Sequence, residues 1–113
     1  EASDVVEKLR AARLEVARLS AELARAEYDL RVPQARVERK WIKKAGGEKA
    51  LAPTAEDRAR ILIVALDADE EYRAALERRD ALALRLEEAR VEADALCNRL
   101  SVILAAMRAE SAD

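Results

Sequence analysis

The sequence predicts an all-α protein: a long antiparallel coiled-coil helical hairpin with a short intervening helix, which assembles into oligomers. Three observations support this prediction. Small and aliphatic residues recur at alternating spacings of three and four along both halves of the chain, only two glycines and two prolines interrupt them, and 39% of the 113 residues are charged. A 3-4 repeat keeps one stripe of each helix facing a partner helix, while the charged residues keep the other faces in water.

The first heptad ladder predicts a helical arm over residues 3–44. Pro33 falls within this arm, but the heptad phase continues past it, so we expect a kinked helix rather than a terminated one. Gly46 and Gly47 then end the arm, and a basic linker or tip follows over residues 45–53. The members of the first ladder are Leu9, Ala12, Val16, Leu19, Leu23, Ala26, Leu30 and Val37.

A short helix over residues 54–66 and a second arm over residues 69–110 follow the linker. Thr54 is the expected N-cap of the short helix. Asp67 with Glu70 resembles a second capping box, which predicts a break between the short helix and the second arm; the alternative is one unbroken helix. Each arm then has 42 residues, as an antiparallel hairpin requires. The members of the second ladder are Ile61, Ala65, Ala68, Tyr72, Ala75, Arg79, Leu82, Leu86, Ala89, Ala93, Leu96, Leu100, Ile103 and Met107.

Self-association is expected because the hairpin alone buries little apolar area. Alanine occupies many ladder positions, and each alanine layer contributes weakly to stability. The run of apolar residues from Ile61 to Leu66 covers the whole circumference of a helix, so it needs partners on several sides. The predicted interface of a homo-oligomer consists of Ile61, Leu62, Ile63, Val64 and Leu66.

Residues suited to catalysis are scarce. The chain has no histidine, a single cysteine and no glycine-rich phosphate loop, and its acidic residues lie three or four positions from arginines, as on a solvated helix face. We therefore expect a protein without catalytic residues, metal, cofactor or small-molecule substrate. No apolar run approaches the ~18 residues of a membrane span. A cytoplasmic protein without membrane contact is expected.

The basic segment, residues 36–49, carries the functional prediction. It contains six cations and two glutamates, a net charge of +4 in a chain whose total is −2, and it holds the only tryptophan. Cations bind nucleic-acid phosphates by releasing counterions, and an aromatic ring stacks on unpaired bases. The predicted site for single-stranded nucleic acid consists of Arg36, Arg39, Lys40, Trp41, Lys43, Lys44 and Lys49.

Two other interpretations of the basic segment remain open. In one, Trp41 packs the hairpin tip against the helix of residues 61–66, and the lysines only keep a loop in water. In the other, the tip docks on an acidic patch of a partner protein.

The layout of residues 20–110 resembles the phage recombination mediators of the UvsY-like type. The resemblance rests on the stretch ARAEYDLR from Ala24 to Arg31, on the lysines and interrupted connection that follow, and on the acidic element with tyrosine over residues 69–73. It implies an oligomeric accessory factor that binds single-stranded DNA and loads a recombinase onto it. The alternative, from a different class, is a coiled-coil adaptor, scaffold or holdase without a nucleic-acid role.

Overall fold

The computed structural model describes residues 2–112, which form four helices and no strand. The helices are α1 (Ala2–Ala45), α2 (Glu48–Leu51), α3 (Ala55–Asp67) and α4 (Glu70–Ala112). The predicted all-α class is confirmed. The predicted arms and short helix agree with α1, α3 and α4 to within two residues at each end.

The chain divides into two compact units. The first comprises residues 2–23 of α1 and residues 82–112 of α4, and the second comprises residues 24–81. In the first unit, the beginning of α1 borders the same groove as Ile103 and Met107 near the end of α4. The two helices therefore run antiparallel, and the predicted helical hairpin is confirmed. That the chain is a single domain stays a prediction.

Heptad positions form the core of the first unit. Leu19 is the most deeply buried leucine, with 2% of its surface exposed. Met107, the last member of the second ladder, is half exposed. Apart from that end, both ladders correctly predicted the inner faces of the helices in this unit. The buried residues are Val5, Leu9 and Leu19 of α1 and Leu82, Leu86 and Ala93 of α4.

In the second unit, α3 and the first turn of α4 pack against α1. Val37 of α1 forms a buried cluster with Ala65 and Leu66 of α3, and Tyr72 of α4 packs against it. Pro33 is also buried, and α1 continues through it without interruption. Pro33 therefore does not terminate the helix, as the continuous heptad phase predicted.

Two glycines end α1 in the manner expected. The Gly47 N–H donates to the Ile42 carbonyl at 2.9 Å, and the Gly46 N–H donates to the Lys43 carbonyl at 3.1 Å. These two bonds form a Schellman motif, which satisfies carbonyls that lose their helical partners. Both glycines have positive φ angles, +93° for Gly46 and +133° for Gly47. Side chains other than glycine rarely adopt such angles.

The connection after α1 contains a helical turn that the sequence did not predict. Residues 48–51 form α2 within the predicted linker. Thr54 then caps α3 as predicted, because its hydroxyl oxygen accepts the Asp57 N–H at 3.2 Å. The Arg58 guanidinium donates to the Ala52 carbonyl at 3.0 Å and so ties α3 to the preceding turn.

The break between α3 and α4 occurs where expected but uses a different residue. The Asp69 carboxylate accepts the Tyr72 N–H at 2.9 Å, so Asp69 rather than Asp67 caps α4. Asp67 is the last residue of α3. The alternative of one unbroken helix after Thr54 is wrong, since two non-helical residues separate α3 from α4.

Candidate nucleic-acid interface

Arg36 differs from the other cations of the predicted site because it is bound to carboxylates. Its guanidinium donates to both carboxylate oxygens of Asp69, at 2.9 and 3.1 Å, and to Glu71 at 3.2 Å. These contacts join α1 to the beginning of α4. Arg36 therefore contributes to the packing of the second unit, and its contact with nucleic acid stays a prediction.

The pKa values of this cluster reflect the same contacts. The pKa of the Asp69 carboxyl lies below its ordinary value, chiefly because the Tyr72 N–H donates to it and also because the Arg36 guanidinium binds it. The hydrogen bond that Arg36 donates to Asp69 raises the pKa of Arg36 in turn. Hydrogen bonds and opposite charges stabilise the charged form of each group. The pair is thus fully ionised near neutral pH.

The remaining cations form what we call the basic surface. Four of them are exposed on the last two turns of α1 at spacings of three and four, and the fifth is exposed on α2. Within residues 2–112, none of the five makes an ion pair with a carboxylate. Lys40 lies near Asp69, and its charge helps to lower the pKa of that carboxyl. The basic surface consists of Arg39, Lys40, Lys43, Lys44 and Lys49.

Trp41 lies within the basic surface and is 38% exposed. The Lys44 ammonium lies 5.6 Å from the centre of its ring, a cation–π contact. Trp41 also lines a groove of about 370 Å³ together with Ile61, Val64 and other residues of α3. The indole thus faces α3, as the interpretation that Trp41 packs the hairpin tip expects. Part of the ring is also exposed, as stacking on an unpaired base requires.

The predicted interface residues on α3 divide into three groups. Ile61 and Leu62 are half-buried, whereas Ile63 and Val64 are 57% and 69% exposed. Leu66 is only 8% exposed because it packs on Val37 inside the protomer. Leu66 is therefore removed from the predicted oligomer surface, and Ile63 and Val64 are its most accessible members.

Two charged residues beside these side chains were missed by the sequence analysis. Arg60 borders the Trp41 groove, and its side chain is 77% exposed. Asp67 is exposed at the other end of α3. The signal that identifies them is spacing, since residues 60, 63, 64 and 67 follow the i, i+3, i+4, i+7 pattern of one helix face.

Comparisons with known proteins add no assignment: none of the family models, curated proteins or solved structures compared with the chain matches it. Within residues 2–112, no helix has the length and apolar character to cross a membrane. Across the same residues, no group of three acidic, cysteine or histidine side chains is placed to hold a metal ion.

Proposed function

We propose that this protein is a non-enzymatic accessory factor of the cytoplasm that self-associates and binds single-stranded nucleic acid. The observation that carries the proposal is the basic surface: five exposed cations that make no ion pair among residues 2–112, with the partly exposed Trp41 on the same end of α1 as four of them. The UvsY-like resemblance adds the expectation that the strand is DNA and that a recombinase is a further partner.

The chemistry of the basic surface fits a flexible, unpaired strand. Cations at spacings of three and four on one helix end lie about one turn apart, so several can approach successive phosphates. Trp41 offers an aromatic surface on which an unpaired base gains roughly 1–3 kcal/mol by stacking. Lys44, whose ammonium lies 5.6 Å from the centre of the indole ring, adds a cation beside the stacking surface that can bind a phosphate once it moves off the ring.

The net charge of −2 does not oppose this binding. Screening at ordinary salt acts over about 8–10 Å, so acidic residues far along the helices have little effect on the basic surface. One protomer contacts few phosphates and binds weakly. Two or more associated protomers hold one strand at several points. This raises the overall affinity although each protomer makes the same contacts as before.

Titration of a fluorescent oligo(dT) at low salt tests the proposal. Replacing Lys40, Lys43 and Lys44 together by glutamate is expected to abolish the rise in anisotropy that the wild type gives. The matched control replaces Arg78, Arg90 and Arg99 of α4 by glutamate, which changes the net charge equally. Each of these three arginines is exposed. Equal losses in both triple variants, or no binding by the wild type, would contradict the proposal.

A second candidate function is a coiled-coil adaptor, scaffold or holdase. The groove beside Trp41 favours it, because Ile61, Val64, Ala65 and Ala68 give its walls a largely apolar surface. Such a groove accepts apolar side chains of a partner protein more readily than the polar edges of a base. The adaptor, scaffold or holdase function replaces the nucleic-acid function if the wild type binds neither oligo(dT) nor oligo(U) at low salt.

A further inference from the structure

We propose that the exposed face of α3, formed by Arg60, Ile63, Val64 and Asp67, packs against the same face of a second copy of this chain. The two α3 helices run antiparallel about a two-fold axis that passes between Ile63 and Val64. This inference names the surface and orientation of the self-association proposed above, and it is independent of nucleic-acid binding.

The packing of α3 buries one side of the helix and leaves the proposed dimer face exposed. Ala65 and Leu66 are turned into the core of the second unit and fix the orientation of α3. Ile63 and Val64 are consequently left in water, although they are among the most apolar residues of the helix. Burying them removes apolar surface from water, which stabilises a complex by roughly 25 cal/mol per Å².

The two charges that flank this apolar centre determine the partner. Arg60 lies one turn before Val64, and Asp67 lies one turn after Ile63, so the face reads cation, apolar pair, anion. In an antiparallel pair of such faces, each Arg60 meets the Asp67 of the second copy, and this favourable contact occurs twice. A parallel pair would place Arg60 against Arg60 and Asp67 against Asp67, which is repulsive. The face is thus complementary to itself in one orientation.

Neither charge is strongly engaged within the protomer. Arg60 makes one ion pair, at 3.5 Å with Asp57 on the same helix, and both side chains of that pair are well exposed. Asp67 makes none within the part of the chain that the structure describes. Exposed pairs of this kind contribute little to folding, so both groups can turn to a second copy at low cost.

The size of the face sets the expected affinity. One helix face with two large apolar residues buries less than the roughly 1,200 Å² of a stable interface, so a dimer that dissociates at micromolar concentration is expected. The rim of the adjacent Trp41 groove enlarges the contact, because Arg60 and Val64 also line that groove.

Charge exchange tests this interface directly. Arg60→Glu and Asp67→Lys are each expected to weaken the dimer about tenfold or more in sedimentation equilibrium, since each creates two like-charge contacts. An equimolar mixture of the two variants is expected to regain wild-type association as a heterodimer, because both contacts then join opposite charges. The control, Arg78→Glu on α4, is expected to leave association unchanged.

Three results would overturn the interface: a monomeric wild type at high micromolar concentration, single variants that associate like the wild type, or a mixture that stays dissociated. Circular dichroism of each variant shows whether it is folded. Oligo(dT) titration of the same variants separates the two proposals. Undiminished association of the single variants with retained binding of the strand refutes this interface alone, and the expected loss of the dimer in a protein that binds no strand refutes the nucleic-acid function alone.

Discussion

Asp69 connects two helices of the second unit, α1 and α4, through a single side chain. It caps α4 through the Tyr72 N–H and accepts two hydrogen bonds from Arg36 on α1. Its side chain is 21% exposed, which shields these contacts in part from water. The residue therefore fixes both the beginning of α4 and its position against α1.

The lowered pKa of Asp69 predicts a pH-dependent contribution to stability. A carboxyl whose pKa is lower in the folded state stabilises the fold above its ordinary pKa of about 3.9, and this stabilisation is lost as the pH falls through the folded value. Asp69→Asn keeps a capping oxygen but removes the charge. We expect the variant to unfold more easily than the wild type at pH 6 to 7 and the difference to shrink below about pH 4.

Chemical denaturation at a series of pH values measures this difference. Glu15, whose pKa is also lowered through its hydrogen bond with Arg18, titrates in both proteins and cancels in the comparison. A difference between wild type and variant that does not change with pH would show that the Asp69 charge contributes nothing.

At the scale of the element, the end of α1 depends on glycine rather than on packing. A methyl group at Gly46 or Gly47 would meet no atom within 4 Å, so space is available at both positions. The constraint is the backbone, because a φ of +133° at Gly47 with its ψ of 169° is a conformation adopted almost only by glycine. The turn that leads from α1 to α2 thus relies on this residue.

Gly47→Ala is expected to destabilise the protein by about 1–3 kcal/mol, because alanine strains the backbone there. Thermal unfolding followed by circular dichroism measures the loss. Ala50→Ser on the neighbouring turn is a matched control, since Ala50 is exposed and helical. A Gly47→Ala protein as stable as the wild type would contradict the backbone explanation.

Local signals explain which elements could be predicted from the sequence. Thr54 and Gly46-Gly47 act within five residues of themselves, so their roles are visible in the chain. The choice between Asp67 and Asp69 as a cap is not visible, because both precede suitable residues. The contact of Arg36 with Asp69 spans 33 positions and depends on how α1 and α4 align.

The candidate site was predictable in composition but not in geometry. Charge and aromatic content indicated the basic segment, yet only packing shows that Arg36 is taken up by carboxylates. The run from Ile61 to Leu66 is apolar at every position, and the second ladder placed Ile61 and Ala65 on the inner face without predicting that Leu66 is buried as well. Contact with Val37 buries Leu66 and leaves Ile63 and Val64 exposed.

At the scale of the whole molecule, apolar residues fall into a buried set and an exposed set. The heptad ladders supply the core, whereas Leu14, Leu84, Val91 and Val102 are each more than 60% exposed in the single chain. Only residues of the first set can contribute the full free energy of burial. The exposed set adds to the apolar surface that self-association can cover.

Leu19→Ala and Leu14→Ala separate the two sets. Leu19 is 2% exposed, so its truncation is expected to cost about 2–5 kcal/mol in the free energy of unfolding. Leu14 is 66% exposed, and its truncation is expected to change stability by no more than about 0.5 kcal/mol. Urea unfolding at low protein concentration measures both. Equal losses in the free energy of unfolding would mean that Leu14 is buried in solution, which would contradict its exposure in the single chain.

Salt dependence of oligo(dT) binding tests the nucleic-acid surface most directly. Each phosphate neutralised on a single strand contributes about −0.7 to the slope of log K against log salt, so the five cations of the basic surface predict a slope of roughly −3.5. Lys43→Ala is expected to make the slope less negative by about 0.7, whereas Arg78→Ala on α4 is expected to leave the slope unchanged. A wild-type slope near zero, or equal slopes for the wild type and Lys43→Ala, would contradict the account.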